Sequence, residues 1–312
     1  MLDQFPAVLR MMLNLRIRIN ILLQAIRLFL SVCLFRVSRL AQRQKNFFEG
    51  LLPEGFARKC VANWIHTSED DYLTILSVLG SECLGALRVS DNIHDSGDYK
   101  PLSIESVKAL AKEGVSKSTE LITEAHLSLT GASGKVGLYY DPERNMWYQP
   151  QGDAPSTHIV KQSHVRLSDI VTNEQLSLTA ASKLGISIPE SFIINTGAAR
   201  DDEILFATKR YDRVIPKNAA YINGLIRPFR LHQEDFAQAL GIPAYEKYEN
   251  GNKQYLLKAF QLLRNNVADP LTDQLKWWDM LIYDYLNCII GCIRWRMKRK
   301  RYMFLCRIRT LL

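Results

Sequence analysis

The 312-residue chain is 47% apolar and 23% charged, which excludes a wholly disordered chain, and its length predicts two domains or one domain with two lobes. Six cysteines exclude a disulfide scaffold. The formal charge of +8 is uneven: residues 1–46 carry eight Lys/Arg and one acid, and residues 286–312 carry eight and none, which leaves −7 for the body. The argument from basicity to nucleic acid therefore reaches only the two ends.

Residues 7–42 alternate apolar blocks with arginine. The run Ile21–Phe35 is interrupted by Gln24, Arg27 and Ser31. A spanning helix needs about 20 predominantly apolar residues, and a central arginine costs roughly 2.5–3.5 kcal/mol on insertion scales. A signal peptide would need a small-residue cleavage site. What remains is a basic amphipathic helix on a membrane surface, or a leader that packs poorly or not at all. From Phe47 the texture changes. FFEGLLPEGFARKC (Phe47–Cys60) breaks short apolar groups with Pro and Gly. Thr67, Ser68, Glu69 and Asp70 offer caps for a helix through YLTILSVLG, with Gly80 as its stop. CLGALRVS (Cys83–Ser90) reads as a strand containing Gly85, and residues 91–120 are polar with one short helical run near Ile104–Lys112.

Short strands follow. HLSLTGASGKVGLYYD (His126–Asp141) reads as strand, glycine turn, strand, and THIVKQ (Thr157–Gln162) as another strand. A helix is predicted from about Thr172 to Leu184, ending at Gly185. SFIINT (Ser191–Thr196) and EILFATKRYDR (Glu203–Arg213) are further strands. After Asn223 the segments HQEDFAQALG, NKQYLLKAFQLL and LTDQLKWWDMLIYDYL carry apolar residues at helical spacing. The pattern predicts an α+β chain: an antiparallel sheet lobe with an inserted helix, then a helical lobe. No strand–helix alternation of the doubly wound type is present.

Gly131-Ala132-Ser133-Gly134-Lys135 departs from a Walker A loop, because Val136 and a strand follow where Ser/Thr and a helix are required. It reads as a hairpin turn, or as a turn lying over phosphates as a kinase glycine-rich loop does. Lys161 ends its strand on one face with Thr157 and Ile159, and Asn173-Glu174 opens the next helix thirteen residues on. Two surface charges would be an unremarkable account of Lys161 and Glu174. The order glycine turn, strand lysine, helix glutamate, charged strand end fits a protein kinase, in which the lysine meets nucleotide phosphates and the glutamate holds the lysine.

On these stretches, together with FFEGLLPEG, LGALRV, KRYDR and HQEDFAQALG followed by KYE, the body over about residues 44–286 resembles the HipA-like serine/threonine kinase toxins. The resemblance implies a protein-kinase-like two-lobed fold with an incomplete all-helical C-lobe. It divides the chain into a leader (1–43), a HipA N-terminal-type segment (44–120), a kinase N-lobe (121–222), the start of the C-lobe (223–286) and a basic tail (287–312). It implies ATP bound by Ser133, Gly134, Lys135, Val136, Lys161 and its partner Glu174, with Lys209, Arg210 and Tyr211 as the hinge whose backbone meets adenine. Asp212 is assigned either to that hinge or to structure. Ser128 and Ser133 are the candidates for autophosphorylation. The family uses ATP and Mg²⁺, phosphorylates protein substrates tied to translation, pairs with a HipB-like DNA-binding antitoxin, and is cytoplasmic and bacterial. Direct nucleic-acid binding by the core is not implied. His232, Gln233, Glu234 and Asp235 belong to a family motif for which the sequence offers no physical reason.

The family continues into a D-x-H-x-K-N catalytic loop and a later metal-binding aspartate. Here no Asp or Glu follows Asp284. The expectation is a chain without catalytic or metal carboxylates from this region, whose ends are out-of-frame translation around an intact core. Apolar faces such as those of Trp277 and Trp278 should then lie exposed. A tail with Cys288, Cys292 and Cys306 but no histidine is a poor zinc site. The competing readings are a non-catalytic, antitoxin-binding pseudokinase and a protein held at a membrane by residues 7–40.

Overall fold

The computed structural model describes residues 37–80, 82–89, 96–103, 105–107, 135–162, 169–195, 204–247 and 253–287. The described residues divide into two compact units, one drawn from residues 51–176 and 189–232, the other from residues 37–50, 177–188 and 233–287.

The first unit begins with helices α2 (Gly55–Trp64) and α3 (Tyr72–Leu79). The cap of α3 is Asp71, not residues 67–70: its carboxylate accepts from the Thr74 amide at 3.1 Å, and the Thr67 hydroxyl donates to it at 3.1 Å. Gly80 ends the helix as expected. A Cβ at Gly80 would meet Val89 Cβ at 2.6 Å, so only glycine lets the returning chain close on it, with the Val89 amide donating to Gly80 O at 2.7 Å. Residues 83–89 form no strand, against the expectation. Their polar backbone groups go to side chains instead of a ladder. Arg210 and Arg213 donate to Cys83 O, Arg213 donates to Gly85 O, and the Gly85 amide donates to Asp212.

The sheet comprises β1 (Asp98–Leu102), β2 (Lys135–Asp141), β3 (Met146–Gln151), β4 (His158–Gln162), β5 (Ser191–Asn195) and β6 (Ile204–Lys209). Among the described residues its order is β1-β3-β2-β4-β6-β5, antiparallel throughout. Strands β2, β4, β5 and β6 follow the predicted segments. β1 and β3 were not legible, because each contains a proline. Pro101 sits on the edge strand, and Pro150 pairs only with β1, beyond the rungs that β3 shares with β2. Tyr99, Tyr139, Tyr148, Ala154 and Leu225 pack as a core, and the Tyr99 hydroxyl donates to Pro155 O at 2.8 Å. Short pairs β7 (Arg213–Val214) with β10 (Phe229–Arg230), and β8 (Ala220–Ile222) with β9 (Leu225–Arg227), complete the unit. Asn223-Gly224 joins β8 to β9 with positive φ at both positions, the backbone that an Asn-Gly hairpin turn needs. Helix α4 (Ile170–Lys183) matches the predicted helix, and the division between units falls within it.

The second unit contains α1 (Val37–Glu49), α5 (Phe236–Leu240), α6 (Tyr255–Asn266) and α7 (Pro270–Leu286). Residues 37–43, read from sequence as loose leader, are the first turns of α1. The HQEDFAQALG motif now has a physical account. Asp235 and Gln238 form a reciprocal capping box on α5, and Gly241 closes the helix at φ 69°. Gln238 Nε2 then donates to Phe47 O at 3.0 Å, and Asn46 Nδ2 donates to Gly241 O at 2.8 Å, so both capped ends hold α1. Ala259, Leu263 and Trp277 form the core with Phe236, Phe260, Val267 and Leu281 around them. Trp277 is 7% exposed, against the expectation, while Trp278 is 46% exposed. Asp284, the last carboxylate of the sequence, is buried on α7, and burial pushes it up to about 6.

Among the described residues no helix is long and apolar enough to cross a membrane; residues 1–36 and the tail beyond 287 lie outside them.

Candidate functional site

Strand alternation decides which predicted residues meet. Lys161 on β4 stands opposite Lys135 on β2 and Phe206 on β6, so these three side chains share one face of the sheet. Glu174, early on α4, pairs with Lys161 through Oε1, and the ammonium lies 5.4 Å from the Phe206 ring centroid. The Lys161 and Glu174 side chains are 23% and 19% exposed, enough desolvation for the pair to have direction while the lysine stays reachable. Val136 pairs with Val160, so its side chain lies on the opposite face from Lys161, buried. Ser128, Ser133 and Gly134 lie outside the described residues.

The KRYDR segment divides its duties. Lys209 lies opposite His158, on the other face from Lys161, and pairs with exposed Glu190 at 2.9 Å. Its amide donates to Glu190 O and the Arg210 amide to Thr157 O, both at 2.8 Å. Two of the backbone donors expected to face adenine are thus committed to the fold. The Arg210 side chain is fully buried and belongs to the scaffold, not to a ligand face. It meets Glu82 at 3.1 Å, Ser156 Oγ at 2.9 Å, and Asp212 at 2.9 and 2.7 Å. Arg213 meets Glu82 at 2.8 Å and Asp212 at 3.0 Å, and Arg230 pairs with Glu82. The Asp212 carboxylate is therefore committed to this buried network. Tyr211 is half-buried beside this network.

The electrostatics follow from that packing. Burial would raise Glu82, but Arg213, Arg230 and Arg210 outweigh it and hold the carboxyl at about 2. Asp212 is likewise held well below the carboxylate range, because Arg210 and Arg213 outweigh its burial. His158 is pushed down to about 4 by burial and then by Lys209, so the ring inside the Tyr140–Trp147–Phe192 cluster is neutral at pH 7. Sequence reasoning missed Glu82, Ser156, Arg213 and Arg230 as one unit. Glu82 lies 128 residues before Arg210, and no local pattern links them.

An antiparallel sheet with a strand lysine paired to the glutamate of an inserted helix defines the α+β, protein-kinase-like class of N-lobe. The family model of the HipA-like C-terminal domain matches residues 127–289, more than half of the chain, and that of the HipA N-terminal domain matches residues 25–90. The chain belongs to the HipA family. The N-terminal match begins upstream of residue 44, where the motif resemblance starts.

Among curated relatives, Y4mE of Sinorhizobium fredii (strain NBRC 101917 / NGR234), provisionally named as a kinase, is 29% identical over 257 residues, covering 79% of this chain and 57% of its own length. Y4dM of the same strain, also provisionally named as a kinase, is 26% identical over 215 residues, covering 66% of this chain and 47% of its own. The chain thus spans about half the length of these relatives. The solved Shewanella oneidensis MR-1 HipA, in a complex with HipB and operator DNA, aligns at TM-score 0.58 and 21% identity. It covers 80% of this chain and 58% of its own, a likeness of fold.

Proposed function

We propose that the first unit binds ATP as a kinase N-lobe does, with Lys161 on the phosphates and Glu174 holding the lysine. The observation that carries this reading is the Lys161–Glu174 pair on one face of the β2-β4-β6 sheet. A lysine reaches α/β-phosphates as a point charge, and the carboxylate keeps its ammonium aimed. Lys135 adds a second cation on the same face. Ser133 and Gly134 cover the phosphates in this reading, Ser128 or Ser133 is the autophosphorylation site of the intact kinase, and Tyr211 meets the base.

The 312-residue chain binds nucleotide in this reading but does not transfer the phosphoryl group. Transfer needs a carboxylate to orient the acceptor hydroxyl and carboxylates to hold Mg²⁺, and no Asp or Glu follows Asp284. Among the described residues no group of three His, Cys, Asp or Glu side chains converges to hold a metal. The proposed partner is a HipB-like DNA-binding antitoxin, supported by the HipA relative solved with HipB. A translation-linked protein substrate belongs to the proposed activity of the longer relatives. The test is intact-mass analysis of the chain after incubation with ATP and Mg²⁺, alone and with an antitoxin of this type. No phosphoryl mass should be added to either protein, and its appearance on either would overturn the non-catalytic reading.

A further inference from the structure

Outside the Lys161 site, the first unit holds a cavity of about 360 Å³. Arg88, Arg227 and Arg230 line it, and Asp153 is the one acidic residue among the described residues of its lining. The Arg88 and Arg230 side chains are 10% and 12% exposed, so these cations stand in a poorly solvated wall. Arg227 is the accessible one, at 36%. Asp153 does not make the wall acidic, because Arg227 pairs with it at 2.6 Å and Arg88 at 3.8 Å. Arg230 joins this group to the buried Glu82 network through Glu82 and through its bond to Asp153 O at 3.0 Å. Among the described residues, the ion pairs of the joined cluster bring together five guanidiniums (Arg88, Arg210, Arg213, Arg227, Arg230) and three carboxylates (Glu82, Asp153, Asp212). Burial, opposed by Glu82 and assisted by Arg213 and Arg210, draws Arg230 down to about 10. The remaining lining is mostly apolar, with Pro155, Pro216, Pro228 and Phe229, and includes polar Asn218.

We propose that this cavity is a second ligand site of the chain, for a small organic phosphate, its phosphoryl group on Arg227 and Arg230 and its organic part against Phe229 and the prolines. Guanidinium forks match phosphate oxygens in pairs, and a water-poor wall strengthens each contact. The volume lies within the range of small-molecule sites. The site shares no residue with Lys161 and Glu174, so it stands or falls independently of nucleotide binding.

The test is calorimetric titration of the 312-residue chain with phenyl phosphate at fixed ionic strength, for the wild type and three variants. Arg227→Gln removes one guanidinium. Asn218→Asp places a negative charge at an exposed lining position and disturbs no buried pair. Lys161→Ala removes the nucleotide lysine. The wild type and Lys161→Ala should bind alike, and each of the other two should bind about tenfold more weakly or worse. No binding by the wild type, wild-type affinity in either lining variant, or a loss in Lys161→Ala would overturn the proposal.

Discussion

Glu82 shows how a single carboxylate can organise a buried ion network. It takes the Ser156 amide and hydroxyl, each at 2.9 Å, and pairs with Arg210, Arg213 and Arg230, all out of water. Removing one partner of a buried pair leaves the others desolvated and uncompensated. Glu82→Ala should therefore cost about 3–5 kcal/mol in urea unfolding; a loss below about 1 kcal/mol, the ceiling for most exposed pairs, would contradict the account. His158 gives a pH signature. Its folded value near 4 lies below its ordinary 6.5, so the unfolded chain binds the extra proton. The stability it contributes is complete above 6.5 and is lost as pH falls through 4. A shift of that size is worth about 3 kcal/mol. His158→Gln should flatten the fall in melting temperature between pH 6.5 and 4, and an unchanged slope would contradict the assignment. At this scale the Lys161–Glu174 pair was legible through the kinase order of strand lysine and helix glutamate and the family resemblance, since alternation alone placed only Lys161. Arg210 was not. A charged residue in a short KRYDR run reads as exposed, and its burial rests on the distant Glu82 and Ser156 as well as on Asp212.

Among the elements, those with a strong local signal were legible and those held by long-range contacts were not. β2, β4, β5, β6, α4, α6 and α7 follow apolar periodicity. β1 and β3 contradict their own propensity, since a proline is tolerated only where no ladder bond is required. Residues 83–89 have strand composition but give their backbone groups to Arg210, Arg213 and Asp212, a tertiary override that no local pattern records. Helix α5 is five residues long and has no fully buried residue, so its caps and the packing of Phe236 on Trp277 hold it. Asp235→Ala should remove about 1 kcal/mol of stability, read by chemical denaturation, and should loosen α1 through Gln238 and Phe47 O, read as faster amide exchange over residues 44–49. Unchanged exchange there would mean that the capped turn does not hold α1.

At the scale of the whole chain, each unit has its own core, and the residues proposed to grip ATP belong to the first. The α+β architecture was legible because the sheet lobe and helical lobe have different periods, and the family was legible because its motifs recur in order. Neither could disclose the arginine-lined cavity, whose walls come from segments far apart in sequence. The account turns on nucleotide binding by a chain with a lysine–glutamate pair and no carboxylate after Asp284. The measurement that tests it most directly is calorimetric titration of the 312-residue chain with ATP, beside Lys161→Ala. The account predicts saturable binding by the wild type and about a tenfold or greater loss in the variant, as expected for a charge-assisted contact. No binding by the wild type, or equal binding by both proteins, would contradict it.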